Sequence, residues 1–203
     1  MKKFLLIGIV GLVGLTGAGI AFHTIAAREP STFTEVSPNA AKALQQKIDE
    51  IKAAQNDPKH KPGSSRVQVS DAELESYLLY SLKEDIPAQI DSADVQLSAD
   101  TVGLDTQITF NQNATGNTVV DALVGGTHNL FVKGRLVAES ARGKFDLQDV
   151  RVDGIPVPNV LIHALIKKYV KPKYPDVDLN EPFDMPWGIQ DLKIEQGKAR
   201  VVY

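Results

Sequence analysis

Four histidines, His23, His60, His128 and His163, are the first residues to weigh for metal or acid–base chemistry in this chain of 203 residues. They fall in an apolar N-terminal run, a polar connector, the start of an alternating segment and the middle of an apolar stretch, and no two share a metal-ligand spacing. His163, between Ile162 and Ala164, suits a core position better than a ligand. Ser64 and Ser140 stand near glycine but lack the strand-to-helix setting of a nucleophile elbow. Gly125-Gly126 precedes an extended segment and opens no helix, so it forms no phosphate cradle. Asp146, Asp149, Asp153, Asp176 and Asp178 offer carboxylates to calcium, yet strand and turn positions account for them. There is no cysteine, which removes thiolate ligands, disulfides and Cys nucleophiles. No catalytic residue and no metal site is nominated, no cofactor is called for, and a non-enzymatic protein is expected.

One cluster invites a binding role. Lys167, Lys168, Lys171 and Lys173, with Tyr169 and Tyr174, close the apolar stretch that contains His163. Cations there complement the carbonyl end of a helix. The same cations also suit anionic headgroups, and membrane contact is the role assigned to them. The chain as a whole is 43% hydrophobic and 23% charged, the balance of a globular protein. Residues 28–203 hold 20 of the 22 basic and all 25 acidic residues, a net of −5, so nucleic acid is not an expected partner.

The elements that would position such a site begin with an anchor. Lys2 and Lys3 precede an uncharged run from Phe4 to Phe22, and the run continues uncharged to Ala27. A helix over Phe4 to Phe22 covers roughly 28 Å, close to the hydrocarbon thickness of a bilayer. A single-pass membrane protein is expected, with a cytoplasmic N-terminus and the rest periplasmic or at the cell surface. Small residues at Gly19-Ile20-Ala21 leave a cleaved signal peptide open as the alternative. Gly14/Ala18 and Gly17/Ala21 are small-xxx-small pairs that would admit a second transmembrane helix, and so another membrane protein, as partner.

After the anchor (1–27) comes a stalk and linker (28–66). Ser37-Pro38 reads as an N-cap followed by proline at the first helical position. Ala40, Ala43, Leu44, Ile48 and Ile51 then form a narrow apolar stripe to about Gln55. That stripe suits a partner helix, a membrane surface or the helix's own domain. Asn56 to Arg66, rich in proline, glycine and serine, reads as a linker.

Residues 67–203 form the α+β domain. Val67 and Val69 make a short strand, and Ser70 with Glu73 is a capping box that opens a helix to about Glu84, with Leu74, Tyr77, Leu78 and Leu82 on one face. Val102, Leu104, Ile108 and Phe110 then alternate with polar residues, as in a half-buried strand. Asn111 to Asn117 is polar loop. Leu130 to Ala138 and Lys144 to Asp153 read as a hairpin, and the last segment is a hairpin about Gln196-Gly197. Apolar phase slips between Leu147 and Val150 and again between Ile189 and Leu192 predict two bulges and a curved sheet. Trp187, the only tryptophan, is expected to cover the sheet edge. Asn159 to Val170 carries Val160, Leu161, Ile162, Ala164, Leu165 and Ile166, so this helix needs cover on every side, by protein or by ligand.

Three features, in order, resemble the YpmS-like membrane-anchored bacterial proteins and, more loosely, the tubular lipid-binding (TULIP) superfamily. They are the capped helix at Ser70, the "V-R-V-D-G-I-P-V-P" segment (Val150–Pro158) ahead of the apolar helix, and the closing "P-W-G-I-Q-D-L-K-I-E-Q-G-K-A-R-V-V" (Pro186–Val202). The resemblance implies a strongly curved antiparallel sheet around a helix, in some members enclosing lipid, with no catalytic residues to carry over. The expected architecture is therefore α+β: an N-terminal transmembrane helix and helical stalk, then a curved antiparallel sheet packed around two helices. Its expected function is to bind lipid or another apolar ligand in a groove lined by Leu74, Leu78, Val160, Leu161, Leu165 and Ile166. The alternative is a scaffold subunit of an envelope complex that binds through the stalk and anchor.

Overall fold

The computed structural model describes residues 33–81, 88–110, 126–165 and 181–203. Helix α1 (Pro38–Asn56) starts where the sequence places its cap: Ser37 is extended, its Oγ accepts the Ala40 N–H at 3.1 Å, and proline follows where no intrahelical bond is lost. Strand β1 (Arg66–Ser70) passes directly into α2 (Asp71–Tyr80). The capping box closes in both directions, with the Glu73 N–H donating to Ser70 Oγ at 3.1 Å and the Ser70 N–H to Glu73 Oε2 at 2.9 Å. Four longer strands follow: β2 (Ala88–Ser98), β3 (Thr101–Phe110), β4 (Gly126–Glu139) and β5 (Arg142–Val152). After them come a two-residue strand β6 (Ile155–Pro156), a short helix α3 (Asn159–Leu165), β7 (Phe183–Asp184), a 3-10 turn at Pro186–Gly188, and the hairpin of β8 (Asp191–Glu195) and β9 (Lys198–Val202).

The described strand pairs are antiparallel and form one open, curved sheet in the order β1-β9-β8-β4-β3-β2, with β5 on the other side of β4. Two-residue turns join β4 to β5 at Ser140-Ala141 and β5 to β6 at Asp153-Gly154. Both central residues have positive φ in each (53° and 60°; 51° and 77°), the backbone hand that matches strand twist. The expected bulge in β5 is present: Lys133 faces Asp149 while Gly134 faces Leu147, which leaves Gln148 as the extra residue. A second register shift lies in β2, between Ile90 and Ser92. At the slip expected between Ile189 and Leu192, the Gln190 N–H donates to the Val202 carbonyl at 2.8 Å although Asp191 is the residue paired with Val202, so two residues face one there and both Ile189 and Leu192 are buried. In the turn just before it, Trp187 (φ 54°) and Gly188 (φ 75°) both adopt left-handed backbone.

The core contains Leu97, Leu136, Ile189 and Ile194, with α1 packed on α2 and on the Pro186–Gly188 turn, and α2 packed on β2 and β1. A charged contact runs through this helix pair. Lys47 Nζ donates to both carboxylate oxygens of Glu73, at 2.6 and 2.8 Å, and to the Gln68 carbonyl at 2.8 Å. Both residues are buried, Glu73 completely. The three donors of the ammonium are thus all placed, and Glu73 is at once the capping residue of α2 and the anion that receives α1. Tyr77 Oη to Gln45 Oε1 (2.9 Å) and the Ser37 N–H to Ser76 Oγ (3.0 Å) add further ties between the two helices.

This packing corrects the expected architecture. The segment read as a helical stalk is α1, a core element: Ala40, Ala41, Leu44, Ile48 and Ile51 are buried in the domain. An amphipathic stripe shows that a face must be covered but not what covers it, and here the cover is α2 and the sheet. No helix among the described residues is long and apolar enough to cross a membrane. The expected transmembrane segment 1–27, with Gly14, Gly17, Ala18 and Ala21, lies outside the described residues. The pair of helices in the sheet is also different from that expected. It is α1 with α2, whereas α3 leaves Val160 73% exposed. The Asp153-Gly154 turn causes this, since it folds β6 back on Arg151 and Val152 along the outer edge of β5 and starts α3 from there.

Lys47→Met would leave the buried Glu73 carboxylate without its cation and should cost about 3–5 kcal/mol. Urea unfolding followed by Trp187 fluorescence measures it. The exposed substitution Lys42→Met should stay within about 0.5 kcal/mol of wild type, and equal effects from the two would refute this role for Lys47.

Candidate apolar ligand site

Strand alternation and register carry one apolar face from the covered end of the sheet to its far edge. Each row of that face crosses four strands. Val95, Leu104, Val132 and Val150 are successive partners, as are Ala93, Thr106, Leu130 and Val152. Leu97, Val102, Gly134 and Leu147 make a third row. Burial falls across each row. On β2, Ala93, Val95 and Leu97 are buried, beside α2. On β4 and β5, Leu130, Val132, Leu147, Val150 and Val152 are only half-buried. At ~4.8 Å between strands, a row spans roughly 14 Å. The part of the face on β4 and β5 is thus an apolar strip, accessible in part, whose interaction with an acyl chain would need no charged group.

Small residues and a bulge shape this strip. A Cβ at Gly134 would collide with the Phe145 ring, so glycine lets Phe145 lie flat across β4. The Gln148 bulge keeps Leu147 and Val150 on the same face although three residues separate them in number. Thr106, the polar member of its row, is buried with its hydroxyl donating to the Ser92 carbonyl at 2.6 Å, so it brings no unpaired group to the strip.

Polar contacts close the far end. The Asp153 carboxylate lies 2.7 Å from His128 Nδ1 and accepts the Asn129 N–H at 2.9 Å, while the Asp153 N–H donates to the Asn129 carbonyl at 2.8 Å. These bonds pin the Asp153-Gly154 turn to β4. The His128 hydrogen bond, and then that from Asn129, hold the Asp153 carboxyl below its ordinary range. Asp149 is engaged by Arg151 at 2.7 Å, with that guanidinium also over the Phe131 ring. Asp146 is exposed on β5, and Asp176 and Asp178 lie outside the described residues.

The residues nominated for the groove are not gathered in one place. Leu74 and Leu78 are buried in the core cluster with Leu44 and Ile48, whereas Val160 is at the surface. Leu161 and Leu165 belong to α3, but their side chains lie outside the description, as do Ile166, Lys167, Lys168, Lys171 and Lys173. Trp187 is buried in its turn, which packs on α1, and the Lys52 Nζ stands 5.1 Å from the ring centroid. Strip residues Leu130, Val132, Leu147 and Val150 were legible only as strand residues. Their phase was the available signal, since all four keep to one face once the bulge is counted.

No protein-family model matches the chain. No curated protein matches it at a significant level.

Because the Asp153 carboxyl is depressed, its contribution to stability is fully present above the ordinary carboxylate pKa of about 3.9 and is lost as pH falls through the depressed value. Carbon-detected NMR titration should show the Asp153 midpoint rising in His128→Ala. An unchanged midpoint would remove His128 as the main cause.

Proposed function

We propose that this domain binds a lipid or another apolar molecule on the β4–β5 part of its inner sheet face and catalyses no reaction. One observation carries this reading: five large aliphatic side chains, Leu130, Val132, Leu147, Val150 and Val152, remain half-buried on one continuous face whose β2 end is fully covered. Removing such surface from water is worth about 25 cal/mol per Å², so an acyl chain laid along it is favoured without any polar partner. The order of motifs resembling YpmS-like and tubular lipid-binding proteins supports the same reading. We also propose that the domain is exported, which Lys2 and Lys3 ahead of the uncharged Phe4–Phe22 run support. A scaffold role through the α1 stripe draws no support from the packing, because a partner helix would have to displace Ile48 and Ile51 from the domain's own core.

The test compares full-length protein purified without added lipid with the variant Leu130→Gln/Val132→Thr, each extracted into organic solvent and analysed by mass spectrometry. Both proteins retain the N-terminal run, so lipid carried by that run cancels. We expect wild type to carry a reproducible lipid that the variant loses at least tenfold, with circular dichroism and Trp187 emission unchanged. Equal lipid content in two folded proteins would refute the site.

A further inference from the structure

The two ends of the apolar strip differ. Along β4, Leu130 and Val132 are half-buried, whereas Leu136 and Ala138 are buried, and the Phe145 ring lies against Gly134 between them. That end is blind. At the other end the register pairs Ile90 with Ile108 and Ile108 with His128, which puts the imidazole on the inner face. Of the described residues that the register places on this face from β2 to β5, only Thr106 and His128 are polar, and the Thr106 hydroxyl already donates to the Ser92 carbonyl. Leu130 and Gly134 are roughly 14 Å apart along β4. A polar end and a blind apolar end at that separation fit an amphiphile that lies with its tail inward.

Charge selects the headgroup. The Asp153 carboxylate stands beside His128 where the β4–β5 ladder stops, and it is 46% exposed. Its depressed carboxyl is ionised at neutral pH, so His128 Nδ1 is the donor across their 2.7 Å contact. The Asn129 N–H donates to the second oxygen. A carboxylate offers about four lone pairs, so both oxygens keep capacity for a further donor. Arg151, two residues earlier, is on the outer face, where Asp149 holds it at 2.7 Å. Among the described residues, no Lys or Arg occupies a register position on the inner face of β2–β5. An anionic headgroup would therefore meet like charge, and a quaternary ammonium would bring no N–H. A primary ammonium brings both opposite charge and donors. We propose that the strip takes an amphiphile with a primary ammonium headgroup, which sits on Asp153 beside His128 while the chain runs from Leu130 toward Gly134. The assignment rests on the strip being the ligand site.

Dodecylammonium, dodecyltrimethylammonium and dodecanoate share one chain and differ in the head. Calorimetric titration of full-length protein, below the micellar concentration of each, should rank dodecylammonium first and dodecanoate last, with dodecanoate still bound. Asp153→Asn should weaken dodecylammonium by about fivefold, the scale of a half-exposed charge pair, and leave dodecanoate no weaker. Asparagine suits the left-handed backbone of residue 153 (φ 51°), so the turn is kept. Asp149→Asn makes the same change of charge on the outer face and should keep the wild-type ranking. Equal affinities for the three in wild type, which need no variant to observe, would overturn the proposal. So would a ranking that Asp149→Asn abolishes as fully as Asp153→Asn. Leu130→Gln/Val132→Thr separates the headgroup from the strip, since it should weaken all three amphiphiles together. Joint weakening without a wild-type ranking refutes the headgroup and retains the strip. A variant that weakens none of them refutes the strip, and the headgroup assignment with it.

Discussion

A buried ammonium–carboxylate pair decides how this domain is assembled. Lys47 and Glu73 are 2.6 Å apart with almost no solvent exposure, and the glutamate also caps the helix that it stands on. Most of the energy of docking α1 comes from elsewhere. Leu44, Ile48 and Ile51 at about 1.5–3 kcal/mol each contribute on the order of 5–9 kcal/mol. The ion pair adds little net stability to this, because desolvation offsets its attraction. What it does is penalise the alternatives. Any other rotation or register of α1 would strand the Glu73 carboxylate in the core without a cation.

That docking determines which part of the sheet is covered. With α1 set against α2 and the Pro186–Gly188 turn, α2 sits over β2 and β1, and the inner-face residues Ala93, Val95 and Leu97 of β2 are buried there. The same rows continue to β4 and β5, where their aliphatic members are half-buried. Curvature from the Asp91 and Gln148 irregularities bends the face as it extends, and the Asp153-Gly154 turn stops β5 and sends the chain out along its edge. The part-exposed strip therefore follows from where the helices dock, and the course of the chain beyond β5 follows from the Asp153-Gly154 turn.

Local chemistry was well written in the sequence. Ser37-Pro38, the Ser70–Glu73 box, the Gln196-Gly197 turn and the phase slip after Leu147 all specify short-range geometry, and each is present. Choice of partner was not written there. The α1 stripe has the period of any amphipathic helix, and Lys47, on the edge of that stripe, gave no sign that its charge would be buried. Strand β2 escaped notice because Ala93 is small and the shift at Asp91 breaks the alternation from Ile90 to Val95. The candidate strip was hidden for the same reason as the stalk was misread. Periodicity identifies a face, whereas long-range packing decides whether that face is covered by the chain or left for a ligand.

The proposed function requires lipid to lie against β4 and β5 rather than within the helix-covered core. Isotope-filtered NMR on full-length protein with labelled Leu and Val methyl groups, mixed with unlabelled oleoyl lysophosphatidylglycerol, tests it most directly. Cross-relaxation is expected from acyl-chain protons to Leu130, Val132, Leu147 and Val150, and none to Leu74 or Leu78. Saturating lipid that leaves the four strip residues untouched, or that reaches Leu74 and Leu78 instead, would contradict it.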